Sequence, residues 1–186
     1  MLRNLTIYIP TFKRHHMLPF IIEYYKNTNA TVIIADATAD AFSVPPALKS
    51  DTLQYLHMPN ATHSERYSIA LEMTKTDFFV PRADRRHQAA EGLSQCIQFL
   101  ESNHDFDAAT GIWLSENLRP YFLIDLLSSA GENNNPYERL INHSLSYQPS
   151  YYTVQRRSKA ARVGRVIDML SSITDNPYVV EYLTSF

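Results

Sequence analysis

Short, continuous apolar runs alternate along the first half of the chain with stretches whose apolar residues recur at helical spacing. Leu5 to Ile9 is a β-branched run closed by Pro10 and predicts a buried strand ending in a turn. Behind it, Leu18, Ile21, Ile22 and Tyr25 line one face of a helix. Thr31 to Ala35 predicts a second strand, ending at Asp36, and Leu53 to His57 a third. Thr62 and Glu65 form a T-x-x-E capping box, and Ile69, Ala70 and Met73 continue the apolar face of the helix it opens. Asp77 to Pro81 predicts a fourth strand, Leu93, Cys96, Ile97 and Leu100 a further helix, and Phe106 to Leu114 a fifth strand.

The second half is less regular. Gly131 to Pro136 is a loop signal, Tyr151 to Val154 a candidate strand, and Val163, Val166, Ile167 and Leu170 mark one more helix. Strands alternating with helices imply right-handed crossovers and a mostly parallel central sheet with helices on both faces, an α/β architecture. Ligands in such sheets bind beyond the carboxyl ends of the strands. That rule puts Pro10–Arg14, Asp36–Asp40 and Arg82–His87, all polar where the adjoining strands are apolar, on one rim.

Composition bounds this picture without changing it. A chain of 186 residues, 45% apolar and 19% charged, is read as one globular domain, with residues 1–115 as a ligand-binding half and 116–186 as a short second half. A net charge of -2 gives no reason to expect nucleic-acid binding. The single cysteine, Cys96, cannot form an internal disulfide, which points to a reducing compartment. No signal peptide or transmembrane run is evident, so a cytoplasmic protein is expected, and the triplets at Asn4, Asn60 and Asn142 are read as coincidental rather than glycosylated.

The order of motifs resembles that of the inverting family-two glycosyltransferases, which have the Rossmann-like GT-A fold. Leu5 to Arg14 resembles their first strand and its I-P-T-x-x-R turn, and Ile33 to Thr38 their second strand, whose terminal aspartate holds the base or ribose. Asn60, Arg66 and Ala70 resemble an N…R…A segment, and Thr76 to Phe79 with Ala83-Asp84 the strand leading into a D-x-D motif. Tyr152 to Arg156 is similar to a Y-x-V-H-R element found downstream in a subset with A-D-D-D at the metal motif. The resemblance spans about residues 5 to 160. It implies a nucleoside-diphosphate sugar as donor, most simply of UDP type, an acceptor hydroxyl on a lipid-linked or polysaccharide substrate, and Mn²⁺ or Mg²⁺ at Asp84. Pro10, Thr11, Arg14, Asp36, Arg66, Asp84, Arg85, Arg86 and Arg156 are the residues it places at the donor. For the catalytic base it points to a carboxylate roughly a hundred residues beyond the metal motif, where Glu181 lies. Asp175 is the other acid in reach, but Asp-Asn-Pro reads as a turn.

The departures from the family bear on the chemistry. Where the subset has A-D-D-D, this chain has Ala83-Asp84-Arg85-Arg86, and its histidine is Gln155. A divalent ion favours oxygen ligands, and two unit charges ~6 Å apart at an effective dielectric of ~20 interact by roughly 3 kcal/mol, so two arginines can outweigh one aspartate. Arginine can instead clamp a phosphate through bidentate hydrogen bonds. Either these arginines are such a clamp or they form a solvated loop after a core strand. Asp36 is either a nucleoside ligand or the cap of the next turn, and Arg14 a phosphate contact or an exposed cation. Glu181 is a base or a plain surface glutamate.

Other polar residues carry less. Adjacent residues such as His15 and His16 point apart and chelate poorly. His63 and His87 read as surface residues and Asp40 as a turn residue. From Arg139 to Ile167 the chain has six basic residues and no acid, either a solvated face or a contact for an anionic partner: the diphosphate, a lipid-linked acceptor or an acidic membrane surface. Tyr147, Tyr151 and Tyr152 either stack on a ligand or belong to the core. With four glycines and no G-x-G-x-x-G, an ordinary dinucleotide fold has little support. Two expectations remain: an inverting glycosyltransferase, or a degenerate relative that binds a nucleotide or partner without catalysis.

Overall fold

In the computed structural model the described residues are 2–85, 87–111, 113–115, 123–125, 135–145 and 152–174. Strand β1 (Leu5–Thr11) is followed by a 3-10 turn at His15–Met17 and helix α1 (Leu18–Lys26). Then come β2 (Thr31–Asp36), β3 (Leu53–His57), α2 (His63–Met73), β4 (Phe78–Pro81) and α3 (Ala90–Ser102). The later elements are the short strands β5 (Ala108–Ala109), β6 (Trp113–Ser115) and β7 (Leu123–Asp125), helix α4 (Pro136–Leu145), β8 (Val154–Arg156) and α5 (Arg157–Ser171).

The central sheet has the order β3-β2-β1-β4-β8-β5. The first four strands are mutually parallel, and β8 runs antiparallel to both β4 and β5. The architecture is therefore α/β with a mixed, mostly parallel sheet, as the alternation of periods implies. Strand β1 is central because both its neighbours hydrogen-bond to it over its apolar run: Ile7 lies opposite Val32 on one side and Val80 on the other. Alternate side chains then serve opposite faces. Leu5, Ile7 and Ile9 join Leu18, Ile21, Tyr25, Leu93 and Leu100 of α1 and α3, while Tyr8, Ile33 and Phe79 join Tyr67, Ala70, Ala160 and Ile167 of α2 and α5.

The expected boundaries hold best where a local signal sets them. The capping box is present: the Glu65 backbone N–H donates to Thr62 Oγ1 at 3.2 Å, and Thr62 N donates to Glu65 Oε2 at 2.7 Å. The expected fifth strand at 106–114 is divided between β5, on the main sheet, and β6, which pairs with β7 in a separate ribbon. The expected strand at 151–154 starts three residues later. Helix α4 begins at Pro136, whose fixed φ suits a first helical turn, so the loop signal ends where this helix starts. His63, expected at the surface, is half-buried, and burial together with the nearby Arg66 charge lowers its pKa to about 4. Among the described residues no helix is long and apolar enough to cross a membrane.

Helix α5 closes on α2 through small and polar residues. A Cβ at Gly164 would meet Leu71 Cδ1 at 3.0 Å, and Ser64 and Ser68 donate to Asp168 across the interface. Beneath them Tyr8, Tyr67 and Phe79 pack ring to ring, with centroids 5.5 to 5.9 Å apart. Phe79 is wholly buried. Its replacement by alanine is expected to cost about 3–5 kcal/mol in urea unfolding, through lost burial and a cavity that three elements cannot collapse. A loss below 1 kcal/mol, about the smallest change such a cavity could give, would show that this cluster is not core.

Candidate functional site

The carboxyl ends of β1, β2 and β4 meet at one rim, and side-chain chemistry ties them together there. After Thr11 the backbone of Lys13 turns into the left-handed region, with φ 56°, which costs a lysine about 1–2 kcal/mol. The Lys13 N–H donates to Thr38 Oγ1 at 2.8 Å and the Ala37 N–H to the Thr11 carbonyl at 3.0 Å, so the turn is fastened to the end of β2. Phe12 is 53% exposed, with Lys13 Nζ over its ring at 5.0 Å from the centroid. On the other side, the Arg82 N–H donates to the Tyr8 carbonyl at 2.9 Å and carries the β1–β4 ladder one step past β4.

Asp84 is the centre of this rim. Its side chain is 3% exposed, and both oxygens are engaged: Arg14 Nη1 donates to Oδ1 at 2.6 Å and Thr11 Oγ1 to Oδ2 at 2.8 Å. Seventy residues separate the two arms of this ion pair, so it crosslinks the turn after β1 to the turn after β4. Arg66, from the second turn of α2, reaches the same place. Its Nη1 donates to the carbonyls of Thr11 and Ala35, each at 3.3 Å, and its Nε to that of Thr62. Pro10, Thr11, Phe12, Arg14, Arg66, Ala83 and Asp84 line an open cleft of about 250 Å³.

The cleft is built for an anion rather than a cation. A guanidinium has five N–H donors. Arg14 spends one on Asp84 and is 42% exposed, and Arg66 makes no hydrogen bond through Nη2 among the described residues. An aromatic face at Phe12 and two guanidinium groups with free donors thus border one space. Mn²⁺ or Mg²⁺ bound to Asp84 would have to displace Arg14 or Thr11 and sit between two arginines. Among the described residues no three His, Cys, Asp or Glu side chains converge to hold an ion. The residues present do not fit a divalent ion held by the protein, and no step is routed through one.

Asp36 is at the rim but turned into the fold, with 0% exposure. The Thr38 N–H donates to Oδ1 at 2.8 Å, Tyr55 Oη donates to Oδ2 at 2.6 Å, and His15 Nε2 lies 2.6 Å from the same oxygen. Burial pushes this carboxyl up, but the hydrogen bonds from Thr38, Tyr55 and His15 outweigh it and hold it below its ordinary value of 3.8. Burial, together with the bond to Asp36, pushes the Tyr55 hydroxyl up to about 12. Here Asp36 organises the turn after β2, and the residue it presents outward is His15, which stands against the Phe42 ring.

The other expected donor residues divide by position. Arg85 is exposed on the turn after β4, while Arg86 and Glu181 lie outside the described residues. Arg156 is not brought to the rim, because it pairs with Phe78 at the opposite end of β4. Its guanidinium is consumed by the carbonyls of Leu100, Asn103 and Phe106, at 2.6 to 3.2 Å, where it caps the end of α3. Phe12, His15 and Tyr55 are rim residues to which the sequence motifs do not point. Phe12 carried a usable signal, a large apolar residue inside a polar turn; His15 and Tyr55 carried none, since their roles depend on the β2–β3 register. The chain matches no model of a known protein family and no curated protein sequence, so the functional reading rests on residues and geometry.

A test of the Asp36 network follows from its depressed pKa. Such a carboxylate adds stability above its unfolded pKa, and that stability is lost as pH falls through the lower folded value. Asp36→Asn is therefore expected to cost about 1–3 kcal/mol at neutral pH, with the gap to wild type narrowing when urea unfolding is repeated near pH ~3. A gap that stays constant or widens in acid would contradict this assignment.

Proposed function

We propose that the cleft between Arg14, Arg66 and Phe12 binds the diphosphate and an adjoining ring of a nucleoside-diphosphate sugar, and that the protein is a GT-A-like inverting glycosyltransferase. The observation that carries this is the pairing of two guanidinium groups with an exposed aromatic face at the carboxyl ends of parallel strands, where α/β sheets bind phosphorylated ligands. The motif order from Leu5 to Arg156 supports the same reading. In this account the guanidinium groups of Arg14 and Arg66 stabilise charge on the departing diphosphate, the largest demand of the reaction. A carboxylate, for which Glu181 is the candidate, removes the acceptor hydroxyl proton. The oxygen attacks the anomeric carbon as its bond to the diphosphate breaks, which inverts the configuration.

One observation favours a second reading, a module that binds the nucleotide without turning it over. Both oxygens of Asp84 are occupied within the protein, so the one remaining carboxylate of the D-x-D position is withdrawn from metal chemistry.

Titration with UDP and with UDP-sugars separates the possibilities. Arg66→Gln is expected to weaken UDP about tenfold or more, the worth of charge-assisted hydrogen bonds, and Phe12→Ala to weaken it by a comparable factor through lost stacking. UDP-sugar hydrolysis above the uncatalysed rate would identify the enzyme. Binding without hydrolysis would favour the module, and no binding of UDP or any UDP-sugar would remove the donor reading.

A further inference from the structure

Behind the cleft lies a cation that the proposed donor site does not use. Arg82 follows β4, and strand alternation sends its side chain to the α1–α3 face, while Ala83 and Asp84 turn to the cleft. It is 0% exposed and the largest fully buried side chain among the described residues. Only Nε has a hydrogen-bond partner, the Ala83 carbonyl at 3.2 Å; Nη1 and Nη2 have none among the described residues. The guanidinium carbon stands 5.0 Å from the Tyr25 ring centroid. A buried cation with two idle donors is costly unless something supplies acceptors.

The neighbours supply little. Burial lowers the Arg82 pKa, opposed first by Tyr25, through its charge and its hydroxyl, and then by Tyr152 and Asp84, yet arginine keeps its charge in proteins. Asp84, the nearby carboxylate, is already taken by Arg14 and Thr11. Tyr25 Oη donates to the Gln88 carbonyl at 3.3 Å and accepts from the Gln88 N–H at 3.4 Å. Gln88 Nε2 donates to the Tyr152 carbonyl at 2.7 Å, which fixes the amide and leaves its Oε1 buried without a partner. On the outer side stands His87, exposed, with its pKa lowered by burial and by the Arg82 charge. Apart from the idle Gln88 Oε1, the group presents donors and positive charge, and it lacks a free anion.

We propose that Arg82 is the anchor of a second binding position, separate from the cleft, which takes an oxyanion of the phosphate class through the paired N–H groups of Nη1 and Nη2 beneath His87 and Gln88. The guanidinium fork matches two oxygens of such an ion. Tyr25 stands against the guanidinium carbon, and Gln88 is tied to the Tyr152 carbonyl nearby. The ion comes either from free phosphate or from the phosphates of a bound nucleotide. The proposal does not require the cleft to bind a nucleotide-sugar.

The test compares thermal unfolding of wild type, Arg82→Met, Arg82→Lys and Arg66→Gln in chloride and in inorganic phosphate at matched ionic strength. Wild type is expected to gain stability in phosphate, and Arg82→Met to lose most of that gain, keeping only what the cleft supplies, while matching or exceeding wild type in chloride, since it removes an unpaired buried charge. Arg82→Lys, which keeps the charge without the fork, is expected to bind phosphate about tenfold or more weakly, and it decides the matter if the methionine variant does not fold. Arg66→Gln, which weakens the cleft, is expected to keep the part of the response that depends on Arg82. UDP that abolishes the phosphate response identifies the nucleotide as the source of the ion, and additive responses identify free phosphate. No phosphate response in wild type, or an equal response in the Arg82 variants, would overturn the proposal while leaving the cleft reading to its own titration. A response lost only in Arg66→Gln would place the ion in the cleft and overturn it too.

Discussion

The buried carboxylate of Asp84 is the constraint on which the rim depends. It sits in the turn after β4 with almost no exposure, so it must be paired, and Arg14 and Thr11 pair it from the end of β1 and the turn after it. Breaking such a pair by removing one partner leaves an uncompensated buried charge, which costs several kcal/mol. The turn after β1 therefore cannot drift from the turn after β4, and Phe12, Arg14 and Ala83 are held around one cleft. The left-handed Lys13 and its bond to Thr38 extend the same constraint to β2.

This pairing also decides what the rim can bind. An aspartate that faces solvent with another acid beside it gathers divalent ions; one locked to arginine and threonine has spent its charge. What remains outward is cationic: the free donors of Arg14 and Arg66, and Arg85 on the exposed turn. The rim thus leaves a surface suited to phosphate oxygens. Charge that a metal would otherwise supply at a diphosphate is available there from guanidinium groups.

How much of this was legible depended on the range of each interaction. Strands β1 to β4 and the helices between them could be read because buried parallel strands are continuous apolar runs and each helix shows its own period. The Thr62–Glu65 cap spans only four residues and was equally plain. That the turns after β1, β2 and β4 share a rim followed from topology. The partners of the charged residues did not, because Arg14 and Asp84 are 70 residues apart and no local rule pairs them. Arg82 and Arg85 look alike in the sequence, yet one is fully buried and the other exposed, since strand alternation carries past the end of β4. Arg156 looked like a donor ligand by motif, but the antiparallel insertion of β8 puts it at the far end of the sheet, where it caps α3.

The central claim is that the rim binds a nucleotide diphosphate through arginine rather than through a metal ion. The affinity for UDP, measured by calorimetry once with Mn²⁺ and once with EDTA, tests it most directly. The account predicts the same affinity in both, since neither oxygen of Asp84 is available to an ion. An affinity that collapses in EDTA and returns with Mn²⁺ would contradict it, and would mean that Asp84 leaves Arg14 to hold the metal.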